Sequence, residues 1–255
     1  MWIRLLPRSA HRGMWPKYMT VERVEVPWNP IEDADLRGLL RNWRSLLLSL
    51  VSSVILLILF AWLSEEVFEG ELRRFDMGVR MKVHELFSPQ MTKFMQAMTF
   101  LGSVGFLLTL FLLITAIWII RKKYRSAAWL AVAAGGSVIL DVSLKLSFHR
   151  PRPMPFVGMA PTSYSFPSGH SLSSLCFYGV LAGLLCARIR NPALRKAIWI
   201  AAALLVLAIG ISRIYLGVHY PTDVIAGYIA AGAWVSSLLL AMYANREAKR
   251  ESSAP

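Results

Sequence analysis

Six apolar stretches of 18 to 23 residues, at 45–63, 100–120, 126–148, 170–187, 197–214 and 221–243, leave this chain few ways to fold. A helix rises about 1.5 Å per residue, so about 20 residues cross the roughly 30 Å hydrocarbon core of a bilayer. The expected architecture is an all-α integral membrane protein, a bundle of six transmembrane helices. Composition agrees, because 56% of the 255 residues are hydrophobic and only 17% are charged. So much apolar side chain excludes disorder, and two cysteines exclude a disulfide scaffold. Cys176 and Cys186 fall on one predicted helix about 15 Å apart in rise, too far for a bond, and read as core residues.

Lys and Arg number 28 against 15 Asp and Glu, for a net charge of +13. Where the charge lies decides what it means. Nineteen of the 28 fall in the arm up to Arg44, the turns at 121–125 and 188–196, and the tail. The other nine lie on the opposite side, among them Arg80, Lys145, Arg150, Arg152 and Arg213. The positive-inside rule then puts both termini in the cytoplasm of a plasma (inner) membrane, with connections after odd-numbered stretches facing the periplasm or exterior. Topology accounts for the charge, and no nucleic-acid partner is expected. Three regions follow: a cytoplasmic arm at 1–43, a six-span domain at 44–246 with its motif-bearing core at 100–243, and a cytoplasmic tail at 247–255. The arm is broken by Arg4, Pro7 and Arg8 and lacks a cleavage site, so the first span is read as an uncleaved anchor. Between spans one and two, Phe68, Leu72, Phe75, Val79, Val83 and Leu86 recur at helical spacing. They predict an amphipathic interfacial helix that packs against and caps the bundle or admits lipid. The absence of any Asn-x-Ser/Thr acceptor suits a bacterial membrane.

A charge inside a span costs on the order of 2.5 to 3.5 kcal/mol, so the few present are informative. Asp141 and Lys145 lie one turn apart in the third span, Arg213 ends the fifth, and Asp223 opens the sixth. Asp141 and Lys145 also have the spacing of a structural ion pair. With the deduced topology, Lys145, Arg150, Arg152 and Arg213 gather at the outer mouths of spans three to six with Asp141 and Asp223. The surplus of positive charge calls for an anion, and Arg and Lys both suit phosphate oxygens. Ser168 can cap the fourth span, and Gly169 lets a ligand approach the backbone where helix N–H groups are free. Two histidines flank this site. Asp223, four residues after His219, can hold one ring nitrogen and leave the other aimed at the ligand. His170 can donate a proton to a departing alkoxide. His170, His219 and Asp223 also make a conceivable metal site, but the surrounding cations oppose a dication, and no metal or cofactor is expected.

These residues fall in three ordered motifs. Lys145 is followed after six residues by Arg152-Pro153, then comes Pro167-Ser168-Gly169-His170, then Ser212-Arg213 with His219 and Asp223. The sequence resembles the type 2 phosphatidic acid phosphatase family, which shares its site with vanadium haloperoxidases. The likeness spans about residues 100–243 and leaves the arm outside. The resemblance implies that His219 attacks phosphorus and carries a phosphohistidine, that Asp223 orients it and that His170 protonates the leaving oxygen. It implies that Lys145, Arg152, Arg213, Ser168 and the Gly169 backbone hold the phosphate oxygens, and that water releases phosphate without a metal. Arg150 lies outside the pattern, with a second phosphate or the headgroup as its suggested contact, and Asp141 is unassigned.

The expected function is hydrolysis of phosphomonoester or pyrophosphate groups on membrane lipids at the outer leaflet. Phosphatidate, phosphatidylglycerophosphate, a polyprenyl pyrophosphate and a lipid A phosphate all present similar groups to this clamp. A lipid phosphotransferase would use the same site. A non-catalytic lipid transporter would need polar residues running across the bilayer, and a haloperoxidase would need vanadate.

Overall fold

The computed structural model describes the backbone at residues 30–159 and 161–251, and side chains at residues 43, 46–159 and 161–241. The first 29 residues of the expected N-terminal arm and the last four of the tail lie outside the described residues. The chain divides into two units, Met1–Trp43 and Arg44–Pro255, and the second carries everything discussed below. Among the described residues all regular structure is helical: α1 (Pro30–Glu69), α2 (Arg73–His84), α3 (Pro89–Leu101), α4 (Val104–Ile120), α5 (Tyr124–Phe148), α6 (Gly169–Cys186), α7 (Pro192–Tyr215) and α8 (Pro221–Glu251). Leu46–Glu69 of α1, all of α5, α6 and α7, and Pro221–Ala241 of α8 are long and apolar enough to cross a membrane. The α3–α4 pair, bent by 49°, makes a sixth span if it is counted as one broken helix. The protein is an all-α, multi-pass membrane protein.

Helix α6 packs on α5, α7 and α8 at once, and 44% of its span is buried against 17% for α1. Ser171, Ser174, Cys176, Ala182 and Cys186 line its buried surface, and such small residues let helix backbones approach closely where lipid removes the hydrophobic drive to associate. Many large apolar side chains of α1 and α4, such as Leu57, Ile58, Leu112 and Ile120, stay exposed and face lipid. Leu130, Phe177 and Ile209 tie α5, α6 and α7 together, while Leu172, Cys176 and Ala231 join α6 to α8. Both cysteines are free and buried.

Two expectations need correction. The stretch at 100–120 is not one continuous helix, because the chain bends at Gly102 and Ser103, where the Ser103 hydroxyl caps α4 by accepting from the Phe106 N–H. The segment before it is two helices, not one. Helix α1 runs on to Glu69, so Phe68 belongs to it, and Leu86 lies past the end of α2. The buried residues of α2 are Asp76 and Arg80, one turn apart, while Phe75, Met77 and Met81 are exposed. Leu72, Val79 and Val83 of the periodic set lie half-buried on that same inward face, Leu72 packing with Leu63, Val67, Phe166 and Ala226 and Val83 with Tyr215, Leu216 and Val218. Asp76 and Arg80 enter that face because their polar partners lie inside the bundle, while Phe75 stays outside.

Two loops at the end of the bundle where α5 ends and α6 begins are stitched together. The Phe156 N–H donates to Leu216 O at 3.0 Å, and Arg80 Nη2 donates to Met154 O at 2.8 Å and to Gly217 O at 3.2 Å. Gly217 has φ of +77°, and a Cβ there would stand 2.5 Å from the Phe156 nitrogen, so only glycine fits the turn.

Candidate active site

The last turns of α5 and α7 and the first turns of α6 and α8 meet at one end of the bundle. They carry Lys145, Arg213, His170 and Asp223 respectively. His219 hangs from the short connection before α8. Pro221 sets that helix start with its fixed φ and its missing N–H. Asp223, the third residue of α8, reaches back to accept from the Tyr220 N–H at 2.8 Å, as an acid at this position does in a capping box.

This carboxylate is fully buried and fully used. Oδ2 accepts from the Ser165 hydroxyl, from Tyr220 N–H and from His219 Nδ1, the last at 3.4 Å. Oδ1 accepts from Arg150 Nη1 at 2.5 Å. A histidine whose Nδ1–H faces a carboxylate leaves Nε2 without a proton. Nε2 lies 2.9 Å from Arg152 Nη1, a group that can only donate, so its lone pair points at the cationic cluster. The 3.4 Å contact is long, and catalytic hydrogen bonds of this kind tighten as the reacting complex forms. Burial pushes the His219 ring down to about 4, with Arg152 and Arg213 adding to the drop and Asp223 opposing it. The imidazole is therefore neutral at neutral pH, with its lone pair on Nε2.

The other residues singled out by sequence stand around it. Arg213 is 8% exposed, donates from Nη1 to the Thr99 hydroxyl at 2.5 Å, and has a buried Nε with no partner. Arg152 is held by Ser163 O at 2.6 Å, Ser163 Oγ at 3.0 Å and Val218 O at 2.9 Å besides His219. The His170 ring lies against Gly102 at the α3–α4 bend, where a Cβ would come within 3.3 Å of it. Arg213, His219, Lys145 and Arg152 are all near enough to act electrostatically on that ring. Lys145 donates to Asp141 Oδ2 at 2.9 Å, and Asp141 Oδ1 is buried without a partner. A Cβ at Gly169 would stand 2.7 Å from that same oxygen, so the glycine allows the carboxylate to lie against the start of α6.

Ser168 departs from its expected role. It occupies the N-cap position of α6, but its side chain makes no cap hydrogen bond and instead accepts from the Ser171 hydroxyl at 3.1 Å. Its own N–H donates to Asp223 O at 2.9 Å. The first-turn N–H groups of α6 thus lack a side-chain cap, which leaves the positive end of the helix to an anion. Arg150 is corrected as well. It is no contact for a second phosphate, since its guanidinium bridges Asp223, Asp76 Oδ2 at 2.8 Å and Thr222 Oγ1 at 2.9 Å. Burial opposes its charge, but Asp223 and Asp76 outweigh that and raise its pKa.

Sequence reasoning missed Asp76, Ser165 and Thr222, all buried beside Asp223. The available signal was Asp76 and Arg80 on one face of a helix, which reads as easily as a solvated ion pair.

Comparison with known proteins agrees with this arrangement. A family model described as the PAP2 superfamily matches residues 126–247. Phosphatidylglycerophosphatase B of Bacillus subtilis is 31% identical over 178 residues, covering 69% of this chain and 87% of the relative. Undecaprenyl-diphosphatase of Sulfolobus acidocaldarius is 33% identical over 132 residues, covering 49% of this chain and 59% of the relative. The crystal structure of a transmembrane PAP2-type phosphatidylglycerolphosphate phosphatase from Bacillus subtilis superposes with a TM-score of 0.67 at 29% identity, covering 78% of this chain and 96% of that one. With its helical membrane bundle, its cationic cluster and its curated relatives named as phosphatases, this chain belongs to the PAP2 superfamily of membrane phosphatases.

Proposed function

We propose that the protein hydrolyses phosphomonoester or pyrophosphate groups of membrane lipids at the outer leaflet through a phosphohistidine on His219. The observation that carries this reading is the placing of His219, with Nδ1 on Asp223 and Nε2 turned to the cationic cluster. A phosphate entering that cluster would take the Arg152 N–H away from Nε2 and bring phosphorus to the lone pair. Arg213, with its unpartnered Nε, Lys145, Arg152, the Ser168 hydroxyl and the Gly169 N–H would hold the oxygens. Nε2 forms a bond to phosphorus as the bond from phosphorus to the lipid oxygen breaks, and His170 gives that oxygen a proton. Water then attacks the phosphohistidine, returns a proton to His170 and releases inorganic phosphate. Catalysis here is positioning and charge stabilisation, as for phosphoryl transfer generally, and the cations take the place a metal would otherwise fill. The lipid class is that on which the relatives' names agree, a phosphorylated lipid.

The test is phosphate release from purified protein in vesicles carrying phosphatidate, phosphatidylglycerophosphate, a polyprenyl pyrophosphate or a lipid A phosphate, with and without a chelator. Turnover of at least one lipid, unchanged by chelator and absent in His219→Ala, is expected. Full activity in His219→Ala removes the nucleophile assignment.

A further inference from the structure

Five groups form a continuous chain through the buried end of the bundle: Asp76, Arg150, Asp223, His219 and Arg152. Arg150 touches Asp76 on one side at 2.8 Å and Asp223 on the other at 2.5 Å. Neither carboxylate is reached by water, and the Arg150 side chain is only 13% exposed. Asp76 also caps α8 from outside the helix, accepting the Thr222 N–H at 3.0 Å and the Thr222 hydroxyl at 2.7 Å. An anion there satisfies a free helix N–H and sits at the positive end of the helix. The Tyr220 ring closes the arrangement, with the Arg150 guanidinium 4.2 Å from its centre.

The charge order matters. An arginine bound to Asp223 alone would neutralise it and remove the negative field that favours positive charge on the imidazole. A second carboxylate at the other end of the same guanidinium restores a net negative charge to the trio. We propose that Asp76 and Arg150 are a positioning pair for the hydrolytic site: Arg150 fixes the Asp223 carboxylate that orients His219, and Asp76 balances the Arg150 charge so that Asp223 still acts on the ring. The inference rests on His219 as nucleophile. It gives α2, which carries none of the family motifs, a part in catalysis without contact to substrate.

His219 is faced by Asp223 from α8, Arg152 from the α5–α6 loop, Arg213 from α7 and His170 from α6. Arg80 of α2 acts on Asp76 and Asp223 from beside Tyr220, and Lys145 and Asp141 of α5 pair with each other. Against that fixed background, the two partners act on His219 with opposite sign. Asp76→Asn leaves the Arg150 charge unbalanced and moves the acid limb of kcat/KM to lower pH. Arg150→Gln leaves two carboxylates unbalanced and moves it to higher pH.

The test is the pH profile of the full-length protein in vesicles, with the lipid of the panel above that the wild type turns over fastest. Each single variant should lose about ten- to a hundredfold in kcat, the range expected of a displaced catalytic group, with KM little changed. Their acid limbs should move in opposite directions, and the limb of the Asp76→Asn/Arg150→Gln double variant should return to the wild-type position. Arg150→Lys should keep the limb in place and recover part of kcat. Should one single variant fail to accumulate, the other still reads the direction of its own limb shift, and return of that limb in the double variant completes the comparison. Limbs that stay fixed or move together in the single variants, a displaced limb in the double variant, or a raised KM with kcat intact would overturn the pair's role. His219→Ala is measured alongside: if it is inactive while the limbs do not move, only this inference falls, and if it is active, the nucleophile reading falls first.

Discussion

At the scale of single residues, the site is a small number of cations whose hydrogen-bonding capacity is partly free and partly restrained. Arg213 has the free capacity, since its buried Nε has no partner. Arg213→Lys keeps the charge but loses the planar fork, so kcat/KM should fall by about 10²- to 10³-fold, the usual loss for one oxyanion donor. A loss below threefold in steady-state kinetics would remove Arg213 from the clamp. Lys145 is restrained by Asp141. Asp141→Asn frees the ammonium and should tighten inhibition by inorganic phosphate, while unchanged inhibition would make the pair purely structural. The pH behaviour of His219 has a definite sign. On the proposed mechanism its proton-free form is the reactive one, and burial pushes its pKa down to about 4 from an ordinary value of 6.5. Activity is therefore kept as pH falls through 6.5 and lost as it falls through about 4, read as the acid limb of kcat/KM. All eight of the site residues named from sequence lie at the same end of the bundle, because each sits in a motif whose spacing fixes a helix end. Asp76 and Thr222 were not legible, because their role exists only across 146 residues of chain separation.

At the scale of helices, the start of α6 and the turn before α8 do the positioning. Gly169→Ala would put a Cβ 2.7 Å from Asp141 Oδ1, so either the carboxylate or the first turn of α6 must move. The expected result is a loss of at least about tenfold in kcat/KM with insertion and purification yield preserved. Wild-type kinetics in that variant would show that the α6 N-terminus is not a phosphate contact. Helix α2 shows the limit of pattern reading. Its apolar spacing marked the inward face through Leu72, Val79 and Val83, but gave no sign that Asp76 and Arg80 are buried on that face with them. The bend before α4 was similarly hidden, since the apolar run continues through Gly102 and Ser103.

At the scale of the whole molecule, the arrangement separates lipid-facing bulk from a polar end built by four helix termini. The Lys and Arg of the turns at 121–125 and 188–196, at the opposite end of the bundle, predict that this polar end faces outward. Cysteines placed at Met159, in the loop beside the site and 93% exposed, and at Arg190, beyond the far end of α6, test that directly. An impermeant thiol reagent on intact cells should label Met159→Cys and spare Arg190→Cys, and the reverse pattern would invert the protein. The native cysteines are buried and should add little background. The most direct test of the central claim is to quench the vesicle-bound protein during turnover of ³²P-labelled lipid phosphate and locate the label. The account predicts an acid-labile, base-stable phosphoryl group on His219, absent in His219→Ala. Turnover without any protein-bound label, or with the label on another residue, would contradict it.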